Sequence, residues 1–294
     1  MSRPDVLLSP GSWRARVAAH EARIDTLTAG HTSRRRQGVK HPIEDFLFVY
    51  YNHTPAKLRR WHPGPGVALD GAAGMPRAGW THYATNAAGH VRMDVRGFMA
   101  ARGDAVRFVH HLLRASLDRP ARLGCFALHE WAMVYRLPAE QLRHAGWPLR
   151  FGAAGTDQVV EGHDIRCSHF DAYRFFTPDA APRNTLRPTP ETQAEMEQPG
   201  CLHAGMDLYK WAFKLAPAIP SELTGDAFEH ALASRRLDME ASPYELTDLG
   251  VEPLAIETPS GKAEFRRRQA ELAQASNGIR QRLIDICDQL LASE

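Results

Sequence analysis

The chain has 294 residues, 44% hydrophobic and 24% charged, and its 36 basic and 34 acidic side chains leave a net charge of only +2. These proportions belong to a folded globular protein and exclude fibrous and disordered classes. No apolar run approaches the roughly 20 residues that span a bilayer, and the charge balance is too even for a non-specific coat on DNA.

Taken in chain order, Ser12 caps a first helix, WRARVAAHEARIDTLTAG, with Trp13, Val17, Ile24 and Leu27 on its apolar side. His31 to Lys40 follows as a basic loop holding Arg34, Arg35 and Arg36. Pro42 opens a second helix through EDFLFVYY, PAKLRRW forms a third, and HPGPG makes a turn. WTHYATN and GHVRMDV, joined at Ala87-Ala88, pattern as a hairpin. Helical periodicity returns over 97–117, and GCFALHEWAMVYR reads as a buried helix from its continuous apolar character.

PLRFG, DQVVEG and HDIRCSHF read as short strands. Residues 177–200 hold five prolines and form one long irregular loop, a length that usually serves function. Helices resume at MDLYKWAFKL, at SELTGDAFEHALASRRLDM, and from Lys262 onward behind a Thr258-Pro259 cap, the last one interrupted at Asn277-Gly278. The expected architecture is mainly α with a small β part (α+β). It is a single compact helical domain over 1–294, with short hairpins.

Histidine is over-represented, with 15 against 7 Tyr and 6 Trp, and imidazole serves metals, proton transfer and plain hydrogen bonding alike. Cys167-Ser-His169 and Cys201-Leu-His203 are two C-x-H pairs; in extended chain each presents sulfur and imidazole on one face, and together they could complete a Cys₂His₂ zinc site. Two buried thiols beside hydrogen-bonded histidines fit the same pattern. His129-Glu130-Trp131 places a carboxylate inside an apolar helix, where it must be paired, with an arginine such as Arg136, or protonated, with a raised pKa suited to a general base. Alternation in a strand over DIRCSHFDAYRFF sets Arg166 with Ser168, and Cys167 with His169 and Asp171, beside Tyr173. Asp207 stands one helical turn from both His203 and Trp211, or serves simply as an acid near a helix start. The other histidines, His144 among them, sit on helix faces, in hairpins and in loops without companion ligands.

HExxH, GxGxxG, GxxxxGK[ST] and GxSxG are all absent, which removes the common zincin, nucleotide-fold and hydrolase-elbow signatures. The N-terminal MSRPDVLLSPGSW has too short an apolar stretch for a secretory signal, and the four cysteines form no CxxC pair, so reduced thiols and a cytoplasmic location are expected.

Six strings, KHPIEDFLFVYY, LRRWHPGPGV, GCFALHEWAMVYR, RCSHFDAYRFFTP, EQPGCLHAGMDLYKWAFKL and ASPYELTDLG, resemble a family of bacterial proteins of this length identified as 3-methyladenine DNA glycosylases. The resemblance runs over nearly the whole chain, from Trp13 to Leu291. It implies DNA as the partner and a hydrolase that extracts an alkylated purine, stacks it on aromatics and stabilises an oxocarbenium-like sugar with a carboxylate. Under that reading Trp131, Tyr173 and Trp211 are the stacking surfaces, Arg166 binds substrate, and Asp171, Asp207 or Glu130 is the catalytic carboxylate. The alternative is a metal-dependent enzyme on a small-molecule substrate, with His129, His169 and His203 as ligands. Carboxylate company for them would suit non-haem iron, and Cys167 with Cys201 would suit zinc. No membrane partner is expected.

Overall fold

The computed structural model describes residues 6–142 and 146–294; His144 and the first five residues of the N-terminal stretch lie outside them. Among the described residues the fold is mainly helical with one small sheet, as the sequence predicts. No described helix is long and apolar enough to cross a membrane.

The sheet has order β1-β2-β4-β3 and is built from β1 (Val6–Leu8), β2 (Val67–Leu69), β3 (Tyr83–Thr85) and β4 (Val91–Met93). β3 and β4 are the predicted hairpin, paired Tyr83 to Met93. β2 joins β4 antiparallel, and β1 joins β2 in parallel; three-residue strands this short carry too little alternation to be read in isolation.

The first helix, α1 (Pro10–Gln37), is longer at both ends than its sequence pattern. Ser9, not Ser12, is the cap, its hydroxyl accepting from the Ser12 amide. The predicted basic loop is the last turns of this helix, with Arg34, Arg35 and Arg36 beside the negative end of the dipole. Gly38 stops it with φ at 69°, a left-handed conformation that glycine adopts freely. The pieces α2 (Phe46–Tyr50) and α3 (Pro55–Leu58) are shorter than predicted.

Four helices make the body of the core: α4 (Val95–Leu117), α9 (Leu202–Lys214), α10 (Ser221–Glu240) and α11 (Pro259–Leu291). α4 lies along α11, and α9 packs on both α10 and α11. Phe98, Val106, Val109, Leu112 and Leu113 form the buried stripe of α4, and Ile279, Leu283, Ile284, Cys287 and Leu290 that of α11. Asn277-Gly278 does not interrupt α11, since burial of flanking Ser276, Ile279 and Arg280 outweighs the local helix-breaking tendency. α9 and α10 approach closely at Gly205, where a Cβ would stand 2.9 Å from His230 Nε2.

Between these long helices the chain is irregular. α5 (Leu128–Ala132) is five residues, far less than the apolar run GCFALHEWAMVYR implies. DQVVEG, predicted as a strand, is the end of helix α6 (Gly152–Glu161). PLRFG and HDIRCSHF contribute only isolated bridges, Leu149 to Tyr244 and Ile165 to Asn184. Asp171 therefore falls in α7 (Phe170–Tyr173) and does not share a strand face with Cys167. The proline-rich loop 177–200 is mostly irregular, with a 3-10 turn at Ala181–Arg183 and one α-helical turn, α8 (Gln193–Met196), near its end.

Candidate metal centre

The three histidines singled out from the sequence converge. His203 stands between the other two, its ring centroid 4.5 Å from that of His129 and 5.3 Å from that of His169. They arrive from different elements. His129 is on α5, His203 begins α9, and His169 ends the extended segment before α7. α5 is set by Phe126 and Ala127, both left-handed at φ 49° and 50°; for non-glycine residues that conformation costs about 1–2 kcal/mol each. The reversal brings His129 to the interior, where it is 5% exposed.

His129 and His203 meet Asp238 of α10, and their ligand atoms all lie within 4.8 Å of one another. His129 Nε2 is 2.9 Å from Asp238 Oδ1, yet neither atom makes a directional hydrogen bond. Two atoms each about 2.1 Å from one metal ion stand about 3–3.5 Å apart, so the pair has ligand spacing without hydrogen-bond direction. Orphaned polar atoms at full burial are uncommon and call for a partner. The other Asp238 oxygen accepts from Arg235 Nη1 at 3.1 Å. The same Nη1 reaches Glu130 Oε1 at 2.5 Å, and the guanidinium lies over the Phe46 ring at 3.9 Å. A carboxylate held by one oxygen and free at the other is how outer contacts orient a metal ligand.

Electrostatics supports that donor set. Burial, then the neighbouring His129, keeps His203 well below the ordinary histidine pKa, hence neutral. Burial pulls His129 the same way, but the Asp238 charge outweighs it and raises the pKa, a preference for positive charge at that nitrogen that a cation also satisfies.

A second group lies beyond His203: His169, Glu197 and Asp207. His169 Nε2 is 3.4 Å from Glu197 Oε1 and 3.3 Å from Asp207 Oδ2. Asp207 also accepts from Tyr51 Oη at 2.7 Å and from Lys210. Burial opposes charge on Asp207, but Lys210 and His169 together hold its carboxyl well below the usual range. Burial likewise opposes charge on His169, and its two carboxylate neighbours override it, lifting the pKa to about 9.

His129 and His203 also line a cavity of about 500 Å³ whose wall includes Arg119, Arg122, Arg166 and Cys167. Cys201 and Cys125 complete its thiol side. Burial pushes the Cys125 and Cys167 thiols up to about 12 and Cys201 higher still, so all three are protonated. Neither ligand-spaced group among the described residues contains a cysteine. The predicted Cys₂His₂ tetrahedron thus resolves into two His/carboxylate groups, each taking one of its histidines, and Cys167 Sγ instead donates to the His169 carbonyl at 3.6 Å.

The other sequence candidates are dispersed. Glu130 is paired, as one reading of the sequence has it, but with Arg235; Arg136 binds Glu161 and Asp179. Trp131 is fully buried, its indole donating to the Ala241 carbonyl at 2.8 Å. Trp211 packs edge-on against Phe108, and Tyr173 against Phe176. None of these three lines the large cavity. Asp171 sits beside Lys210 and Arg174 at the margin of the second group. Arg166 does face the cavity.

Sequence reading misses Asp238, Glu197 and Arg235. The signal for Asp238 is present: Leu223, Ala227, Ala231 and Ser234 recur at helical spacing, all buried, and Asp238 falls next on that stripe. A charge on a buried stripe is the informative observation. No family model, curated protein or solved structure matches the chain.

Proposed function

We propose that the protein is a metal-dependent enzyme whose ion is held by His129, His203 and Asp238 and whose substrate is a small anionic molecule bound in the adjoining cavity. The observation carrying this reading is the approach of His129 Nε2 to Asp238 Oδ1 at 2.9 Å, buried, with neither atom hydrogen-bonded. Two histidines and one carboxylate with open positions are a donor set for non-haem iron(II) or catalytic zinc. An ion there would lower the pKa of bound water or polarise a substrate oxygen. Arg119, Arg122 and Arg166 on the cavity wall supply the charge and donors that carboxylate or phosphate requires.

Elemental analysis after purification without chelators tests it. About one equivalent of iron or zinc is expected at this group, lost in Asp238→Ala with the far-ultraviolet circular dichroism retained. Metal-free wild type that takes up no added iron or zinc overturns the reading.

Excision of alkylated purines from DNA is a second reading, supported by the family resemblance and by the same three arginines, which suit phosphate. Its expected result is release of 3-methyladenine from methylated duplex DNA, abolished in Asp207→Asn. Absence of release by folded, metal-replete protein removes it.

A further inference from the structure

We infer that His169, Glu197 and Asp207 hold a second metal ion, so that the centre contains two ions flanking His203. The inference rests on the metal reading of the first group and extends it to a neighbouring site with its own ligands.

Two independent observations carry it. The first is spacing: His169 Nε2 stands 3.3–3.4 Å from one oxygen of each carboxylate, the separation that atoms sharing an ion adopt. The second is that His169, only 1% exposed, has no directional hydrogen bond at either Nδ1 or Nε2. An imidazolium enclosed by two acids would aim its N–H groups at them. Here the oxygens flank the ring nitrogen without lying along its N–H direction, as donors around a common centre do.

Tyr51 occupies the other oxygen of Asp207. The two oxygens that face His169 also accept protein donors, Asp207 Oδ2 from Lys210 and Glu197 Oε1 from Gln193 Nε2 at 2.5 Å, so an ion there would use their second lone pairs. Lys210 bridges Asp207 and Asp171, and Arg235 faces Glu130 and Asp238, so in each half one buried or half-buried cation answers two acids beside the histidine. Three histidines and three carboxylates are nitrogen and oxygen donors, the set for iron, manganese or zinc rather than copper(I).

Stoichiometry decides the matter. Chelator-stripped protein is titrated with zinc(II), and separately with iron(II) without oxygen, then desalted and analysed for metal. Two ions per chain are expected in wild type, one in His169→Ala or in the near-isosteric Glu197→Gln, and one in Asp238→Ala. One ion in wild type, lost in Asp238→Ala but kept in Glu197→Gln, overturns the second site and leaves the first standing. One ion with the reverse dependence upholds the second site and removes the first. No ion removes both, and two ions retained in both His169→Ala and Glu197→Gln place the second elsewhere and overturn the inference. Circular dichroism reports whether each variant folds; if none does, a wild-type count of two upholds the pair of ions and a count below two overturns it.

Discussion

Arg235→Met is expected to destabilise the protein by about 3–5 kcal/mol, the range for removing one partner of a buried ion network. Arg235 is 1% exposed and answers two carboxylates, Glu130 and Asp238, that are themselves 5% and 0% exposed. Without the guanidinium both acids lose the cation they share, and the stacking over Phe46 goes with it. Arg235→Lys does not restore the geometry, because an ammonium cannot span two acids and the Pro42 carbonyl as a planar fork does. Urea unfolding at pH 7 measures the effect. A loss under about 1 kcal/mol, the range of surface pairs, would show that these acids are solvated.

Acid lability is the second large effect. His53, His62 and His230 are held neutral by burial, above all else, with pKa values of about 4, 3 and 4. In the unfolded chain each returns to about 6.5. Below that value the unfolded state takes up protons that the native state refuses, so stability is full above pH 6.5 and falls as pH drops towards 4–3. At pH 5 the loss is about 2 kcal/mol per histidine. Urea midpoints at pH 7.5, 6 and 5 should fall steadily. His53→Phe, whose ring stacks on Phe213 and needs no hydrogen bond there, should flatten the slope by one histidine's share. A midpoint independent of pH across this range contradicts the burial argument.

Long amphipathic stretches were the legible part of this fold. α4 and α9 follow their apolar periodicity, and the hairpin of β3 and β4 follows its turn. Legibility fails where tertiary burial overrides local signals. Asn277-Gly278 stays helical inside α11, and the apolar segment around His129 is broken by left-handed Phe126 and Ala127. Of the centre, the sequence isolates three histidines and Asp207 but not the partners that divide them into two groups. Asp238 lies 109 positions beyond His129 in the numbering, and Glu197 lies in an irregular loop; neither shares a local spacing with the histidine it meets. Their proximity is a product of α9 packing against α10 and of loop 177–200 returning over the chain.

His203 and Asp207 sit on one helix, four residues apart, which fixes their axial separation at about 6 Å. One ligand of each group is therefore mounted on the same rigid rod, anchored by fully buried Met206, Leu208 and Tyr209. That rod is ordered by its own packing, so neither ion bears the conformational entropy of assembling it, and the two ligands are held ready at a fixed spacing before any ion arrives.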